Sequence, residues 1–115
     1  MHEVSIAEGI LSVVEDAAKR NNCAKVKKVV VAVGELAGVD VDALFFAWQS
    51  VRRDSICSES ELVVQRPAGQ AWCMNCAKNV PISKFGDACP DCGGYQLMPT
   101  QGTELKVLEI IEQTN

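Results

Sequence analysis

Four of the six cysteines form two Cys-X-X-Cys pairs, a spacing that is typical of a metal site. The first pair is Cys73 and Cys76, the second is Cys89 and Cys92, and twelve residues lie between the pairs. Each Cys-X-X-Cys turn directs two thiolates at one point, so two such turns can complete a tetrahedron. Zinc is the metal that this ligand set favours, although a mononuclear iron site would use the same four ligands.

A zinc ion held by four thiolates is predicted to be structural. The thiolates saturate a tetrahedral ion and leave no open position for a substrate. The segment 70–99 carries few large apolar side chains, and a chain of fewer than about 40 residues seldom folds unaided. Metal binding is therefore expected to supply part of its folding free energy. The remaining cysteines, Cys23 and Cys57, are interpreted as packing or incidental residues.

The single histidine of the chain, His2, is a second candidate for metal chemistry. Its imidazole, its own backbone nitrogen and the amine of Met1 can form fused chelate rings on one cation. Nitrogen donors in one plane suit Ni(II) or Cu(II), and a fourth donor would come from Glu3, from another carboxylate or from water. A single histidine also excludes the three-histidine and HExxH zinc sites of metalloenzymes.

The composition argues against several classes of function. Eleven Lys and Arg against 15 Asp and Glu give a net charge of -4, whereas nucleic-acid binders carry a basic footprint. No run of about 18 apolar residues predicts a membrane span. Acidic residues among the first 30 positions argue against a signal peptide, so the thiols are expected to stay reduced in the cytoplasm. The sequence also has no GxxxxGK loop and no evident nucleophile–base pair, which argues against an enzyme.

Apolar periodicity predicts the elements that must position these residues. Repeats of helical period indicate two helices, and runs rich in β-branched residues indicate three strands. Asp40 and Asp42 are candidate N-caps of the second helix. The predicted elements are helices at 4–22 and from these aspartates to about 53, and strands at 25–33, 61–66 and 104–112.

This order of elements predicts an α+β fold. It has a small mixed three-stranded sheet with two helices, plus an inserted, zinc-ribbon-like four-cysteine module. Residues 1–69 and 103–115 are expected to form the α+β domain, and residues 70–102 the zinc-binding domain. The chain is expected to enter the module near Gly69 and to leave it near Gly102.

Several motifs occur in the order and spacing of one known family. They are the start Met1-His2-Glu3, the segment Val33-Gly34-Glu35 after a valine-rich strand, Asp40 opening the second helix, Gln70-Ala71-Trp72-Cys73, and Thr100-Gln101-Gly102. With the two cysteine pairs, they make the chain resemble the HypA/HybF family of hydrogenase-maturation nickel metallochaperones over essentially its whole length.

The resemblance implies a protein that binds Ni(II) at its amino terminus and delivers it to the large subunit of a [NiFe]-hydrogenase. Carried over to this chain, His2 is the essential side chain, and the Met1 amine and the backbone nitrogens of His2 and Glu3 are further donors. Glu3 and Asp40 are supporting carboxylates at or beside the site. The α+β domain is then the nickel-binding domain.

The resemblance also implies a zinc ion on Cys73, Cys76, Cys89 and Cys92. A nickel-handling GTPase is the implied partner, together with the hydrogenase large subunit and, as in many family members, a second copy of the chain. Ala77 follows the first cysteine pair, and no histidine lies near the zinc ligands in the sequence. A histidine-dependent coupling between zinc and nickel is therefore in doubt here.

Two other interpretations remain open at this stage. The run Cys89-Pro90-Asp91-Cys92-Gly93 resembles the iron knuckle of rubredoxin, which would make the chain a redox module. Alternatively, the chain is a zinc-ribbon adaptor in which His2 is incidental. Metal analysis separates the iron interpretation from the two zinc interpretations, and nickel binding by the chain with and without His2 separates those two.

Overall fold

Two helices and six strands make up the described part of the chain. A computed structural model describes residues 2–114, and none of its helices is long and apolar enough to cross a membrane. The elements are α1 (Glu3–Arg20), β1 (Val26–Val33), α2 (Val41–Val51), β2 (Glu61–Gln65), β3 (Gln70–Cys73), β4 (Lys78–Pro81), β5 (Leu97–Gln101) and β6 (Leu105–Glu112).

The first sheet has the strand order β2-β1-β6 and mixes two strand directions. Ser60 Oγ donates to the Val26 carbonyl, and Arg66 Nε donates to the Val33 carbonyl at 3.0 Å. The first bond joins the start of β2 to the start of β1, and the second joins their ends. The two strands therefore run parallel, and α2 lies in the connection between them.

Strand β6 runs antiparallel to β1. The Gln113 N–H donates to the Lys25 carbonyl at 3.0 Å, just before β1, and the Gly34 N–H donates to the Glu104 carbonyl at 2.7 Å, just after it. The sheet is therefore mixed, as the sequence predicts.

The helices α1 and α2 pack against each other and bury one face each. Their core positions fall three or four residues apart, because that spacing returns a side chain to the same face of a helix. The buried residues of the helices are Ala7, Ile10, Val14, Ala18, Leu44, Ala47 and Trp48. Strand β1 contributes an almost continuous buried run from Val29 to Val33.

The second helix begins at the predicted aspartate. Asp40 is the N-cap, and its Oδ1 accepts a hydrogen bond from the Ala43 N–H at 3.1 Å. Asp42 lies in the first turn, where its carboxylate still interacts favourably with the positive end of the helix dipole. The helix ends at Val51, two residues before the predicted end.

A second sheet, β4-β3-β5, surrounds the cysteine module and was not predicted. Both pairings are antiparallel, and β3 lies in the centre. The three strands of this sheet have only four or five residues each, which is too few for an alternation of apolar and polar residues to stand out. Two of the strands also contain a proline. With this addition, the α+β fold with a small mixed sheet, two helices and a four-cysteine module is confirmed.

The chain divides into two compact units. The first comprises the described residues of 1–31, 39–64 and 106–115, and the second comprises 32–38 and 65–105. The second unit thus includes three segments that the sequence prediction places in the other domain: the end of β1 with the loop after it (32–38), and residues 65–69 and 103–105. Which unit binds which metal remains a prediction.

Three glycines in the second unit let chain segments cross without side chains between them. A Cβ added to Gly34 would lie 2.0 Å from the Gly102 carbonyl oxygen, and one added to Gly102 would lie 2.7 Å from the Gly69 Cα. Such distances are far below van der Waals contact, so only glycine fits at these positions. Gly69 and Gly102 therefore lie against each other where the chain enters and leaves the cysteine module.

Candidate metal centre

The two cysteine pairs converge on one point in the second unit. The four Sγ atoms all lie within 4.8 Å of one another. The Sγ atoms of Cys73 and Cys92 are 3.7 Å apart, and those of Cys76 and Cys89 are 3.9 Å apart. A tetrahedron with Zn–S distances of about 2.3 Å has edges of about 3.8 Å. The sulfur positions therefore fit a tetrahedral tetrathiolate ion.

The two Cys-X-X-Cys turns are built alike. The Ala77 N–H donates to the Cys73 carbonyl at 2.8 Å, and the Gly93 N–H donates to the Cys89 carbonyl at the same distance. The donor residue of each turn has a positive φ, 53° at Ala77 and 73° at Gly93. Glycine adopts a positive φ readily, so Gly93 suits its turn. Ala77 occupies the matching place after the second cysteine of its own pair, and that place is the signal in the sequence for its conformation.

Backbone amides donate hydrogen bonds to two of the four sulfurs. The Cys76 N–H donates to Cys73 Sγ and the Gly94 N–H donates to Cys92 Sγ, both at 3.4 Å. The backbone of each turn therefore helps to hold one of its own sulfurs in position.

Two thiols of the centre, those of Cys76 and Cys89, differ widely in pKa. Burial, together with the hydrogen bonds of the neighbouring sulfurs, raises the pKa of Cys76 to about 12. Hydrogen bonds from backbone N–H groups, first of all that of Cys92, lower the pKa of Cys89 to about 7. A metal ion must displace a firmly held proton from Cys76, and its own positive charge offsets the repulsion among four thiolates.

A lysine near the sulfurs is held in its protonated, positively charged form. Lys78 pairs with Asp91, and this pairing raises the pKa of the lysine. The Cys76 and Cys89 thiolates act on it in the same direction. The pair is exposed, so its contribution to stability is small, but it joins residues from both cysteine turns.

The other two cysteines lie outside the centre, as predicted. Cys57 is fully buried, and burial raises the pKa of its thiol. Cys23 Sγ donates to the Lys25 carbonyl at 3.3 Å. Among residues 2–114, the four-cysteine group is the one set of three or more His, Cys, Asp and Glu side chains close enough to hold an ion.

The amino-terminal candidates lie in the first unit. His2 is the N-cap of α1, and its carbonyl accepts from the Ile6 N–H at 3.1 Å. Its side chain is exposed and, within the described part of the chain, makes no capping hydrogen bond. The imidazole is thus not occupied by helix capping. Met1, the predicted amine ligand, lies outside the described residues.

The two residues that carry the predicted carboxylates are connected by a hydrogen bond. Glu3 Oε2 accepts a hydrogen bond from the backbone N–H of Asp40 at 3.2 Å, over 37 residues of sequence. This bond was not predicted, because nothing in a single sequence pairs the start of one helix with the start of another. His2, Glu3 and Val4 also line a groove with three residues of α2, Ala43, Phe46 and Ala47.

Comparisons with known proteins agree in family and in fold. A family model described as hydrogenase/urease nickel incorporation, metallochaperone, hypA matches residues 1–111. The chain is 48% identical over 110 residues to the hydrogenase maturation factor HypA of Azoarcus sp. strain BH72, covering 96% of each chain. It is 46% identical over 110 residues to that of Albidiferax ferrireducens, covering 96% of this chain and 97% of the relative.

A solved structure has the same fold. The solution structure of the Ni metallochaperone HypA from Helicobacter pylori superposes with a TM-score of 0.71 at 25% identity. The match covers 100% of both chains.

Proposed function

The chain belongs to the HypA family of nickel-incorporation metallochaperones, and from this membership we propose that it binds Ni(II) at its amino terminus and delivers it to the large subunit of a [NiFe]-hydrogenase. The ligands would be the His2 imidazole, the Met1 amine and the backbone nitrogens of His2 and Glu3. The carboxylates of Glu3 and Asp40 would lie at or beside the site. The single observation that carries the proposal is the family match over residues 1–111.

The start of α1 supports this set of donors. The first four N–H groups of a helix have no acceptor within the helix, and those of His2 and Glu3 are among these unpaired groups because α1 begins at Glu3. Nickel can replace their protons without breaking a helical hydrogen bond. The positive end of the helix dipole also favours the anionic, deprotonated amide.

Side chains alone do not provide a nickel site at this end of the chain. In the described residues, His2, Glu3 and Asp40 form no group of three ligand atoms close enough for one ion. The backbone nitrogens therefore carry much of the proposed coordination. Nitrogen donors in one plane suit Ni(II).

An exposed site at a helix start is suited to delivery. His2 is exposed, so few side chains enclose the ion. A recipient protein can then approach and exchange one ligand at a time. We propose the nickel-handling GTPase of hydrogenase maturation as partner, with dimerisation of this chain, a cytoplasmic location and no catalytic activity of its own.

The four-cysteine centre is proposed to hold structural zinc. The sulfurs fit a tetrahedral ion, and all four positions around such an ion would be filled by protein ligands. Zinc bound there would join the two cysteine turns and contribute to the folding of the second unit. Its role would be structural, and nickel transfer would proceed at the amino terminus.

The test is nickel titration of the chain without an affinity tag, beside its His2→Ala variant. We expect His2→Ala to lose high-affinity nickel binding while its zinc content and circular dichroism stay unchanged. Glu8→Ala is the matched control, because Glu8 is an exposed residue of the same helix. One extra residue before Met1 should also weaken binding, because it displaces the amine. Nickel affinity of wild-type strength in His2→Ala would refute the proposal.

A further inference from the structure

Two carboxylates hold the amino-terminal end of α2. Asp40 Oδ1 accepts from the Ala43 N–H at 3.1 Å, and Glu3 Oε2 accepts from the Asp40 N–H at 3.2 Å. The first carboxylate belongs to α2 itself, whereas the second comes from the first residue of α1. Both satisfy amide groups that the helix cannot pair internally.

Together the two bonds reproduce a capping box whose halves come from different helices. In the usual box, the N-cap side chain accepts from the amide of residue N3, and a Glu or Gln at N3 reaches back to the N-cap amide. Residue N3 of α2 is Ala43, which has no polar side chain. Glu3 takes the missing role from 37 residues earlier in the sequence.

This bond engages one oxygen of the carboxylate beside the proposed nickel site. If Glu3 turned towards nickel, the Asp40 N–H would lose its acceptor, and the negative charge would leave the positive end of the α2 dipole. Both effects oppose the use of the Glu3 side chain as a ligand. Its bond to Asp40 instead fixes the turn of α1 that holds the backbone nitrogens of His2 and Glu3.

We propose that Glu3 is a positioning residue, which ties the first turn of α1 to the start of α2 and so orders the backbone donors for nickel without binding the metal through its carboxylate. This inference rests on the proposed function. It assigns the two acidic residues of the predicted site to one hydrogen-bonded latch, formed by Glu3, Asp40 and Ala43.

The latch is tested first in zinc-loaded protein without nickel, by hydrogen–deuterium exchange at the start of α2. Glu3→Ala should speed exchange of the Asp40 amide about tenfold, because a hydrogen bond to a charged acceptor is lost. Glu3→Gln should largely restore protection, because its amide oxygen can accept the same bond. Glu8→Ala, on the exposed face of α1, should leave exchange unchanged.

Nickel titration of the same variants then tests positioning against ligation. We expect affinity to fall about tenfold in Glu3→Ala and no more than about threefold in Glu3→Gln, with an unchanged absorption spectrum of the nickel complex in Glu3→Gln. Nickel itself should leave the Asp40 amide protected. A Glu3→Gln variant as weak as Glu3→Ala, with a shifted spectrum, would show a carboxylate ligand and overturn the inference.

The inference and the proposed function fail in different ways. Loss of Asp40 protection on adding nickel to the wild-type chain would overturn the latch alone, because nickel would then recruit Glu3. Unaltered exchange in Glu3→Ala would overturn it as well. Nickel binding that is absent in the wild type, or indifferent to His2→Ala, would overturn the proposed function and this inference with it.

Discussion

Replacing Gly34 by alanine should destabilise the second unit, and the structure sets the size of the effect. The new methyl carbon would lie 2.0 Å from the Gly102 carbonyl oxygen, 2.3 Å from its carbon and 2.9 Å from its Cα. All three are backbone atoms, so no side-chain rotation relieves the clash. The segments must separate by about 1.4 Å to reach ordinary contact at 3.4 Å.

That separation breaks two short hydrogen bonds. The Gly34 N–H donates to the Glu104 carbonyl, and the Leu36 N–H donates to the Gly102 carbonyl, each at 2.7 Å. A lost hydrogen bond costs about 1 kcal/mol net, and a buried group left without a partner costs about 1–3 kcal/mol. We therefore expect Gly34→Ala to lower the free energy of unfolding by about 2–4 kcal/mol.

The assay is urea unfolding with zinc in excess, so that metal loss does not mix with the effect of the substitution. The matched control is Gly9→Ala, because Gly9 lies in α1 and an added Cβ there meets nothing within 4 Å. That variant should be more stable by about 0.5–1 kcal/mol, since alanine favours helix more than glycine does. A Gly34→Ala variant within about 0.5 kcal/mol of wild type, well under the cost of one unpaired buried group, would refute the steric reasoning.

The two proposed metal sites give three further predictions. Mass spectrometry of the purified protein should show one zinc per chain, and its absorption spectrum should show no visible colour. A red protein that contains iron would support the rubredoxin-like interpretation. Cys92→Ser should abolish stoichiometric zinc binding and speed hydrogen–deuterium exchange across residues 65–105. Its nickel affinity should stay within about threefold of wild type, a change of less than 1 kcal/mol. An equal loss of nickel binding would contradict separate sites. Nickel affinity should fall by at least about a hundredfold between pH 7.5 and 6, because protons compete for an amine and an imidazole, and each backbone amide that nickel deprotonates adds about a further thirtyfold. A flat titration would contradict those ligands.

The cysteine centre could be predicted from the sequence because its determinants are local. The spacing within each pair fixes one turn, and Gly93 marks the conformation that follows it. What could not be predicted was the sheet around it. Strands as short as Lys78–Pro81 carry too little periodicity, and they exist because they pair with β3 over a tightly packed cluster of cysteines and Val80.

In the amino-terminal region, single residues could be predicted from the sequence, but the contact between them could not. His2 and Asp40 stood out from their positions, and Asp40 caps α2 as its residue type suggests. The bond between Glu3 and Asp40 depends on how α1 and α2 pack, which no local pattern encodes. The same holds for Gly34. No side chain fits at this position because the backbone of Gly102 passes against it, and a single sequence does not show that contact.

The likeness of the two cysteine turns has a consequence for the order in which metal is loaded. Each turn is closed by its own five-residue hydrogen bond, so each can form locally and present two sulfurs before the other is in place. An ion held by one turn would then meet the second turn as a tethered partner, because only 13 residues separate Cys76 from Cys89. A loop this short costs little entropy to close and gives an effective concentration of about millimolar. The two turns would therefore allow an ion to be loaded in two steps, first by one pair of cysteines and then by all four.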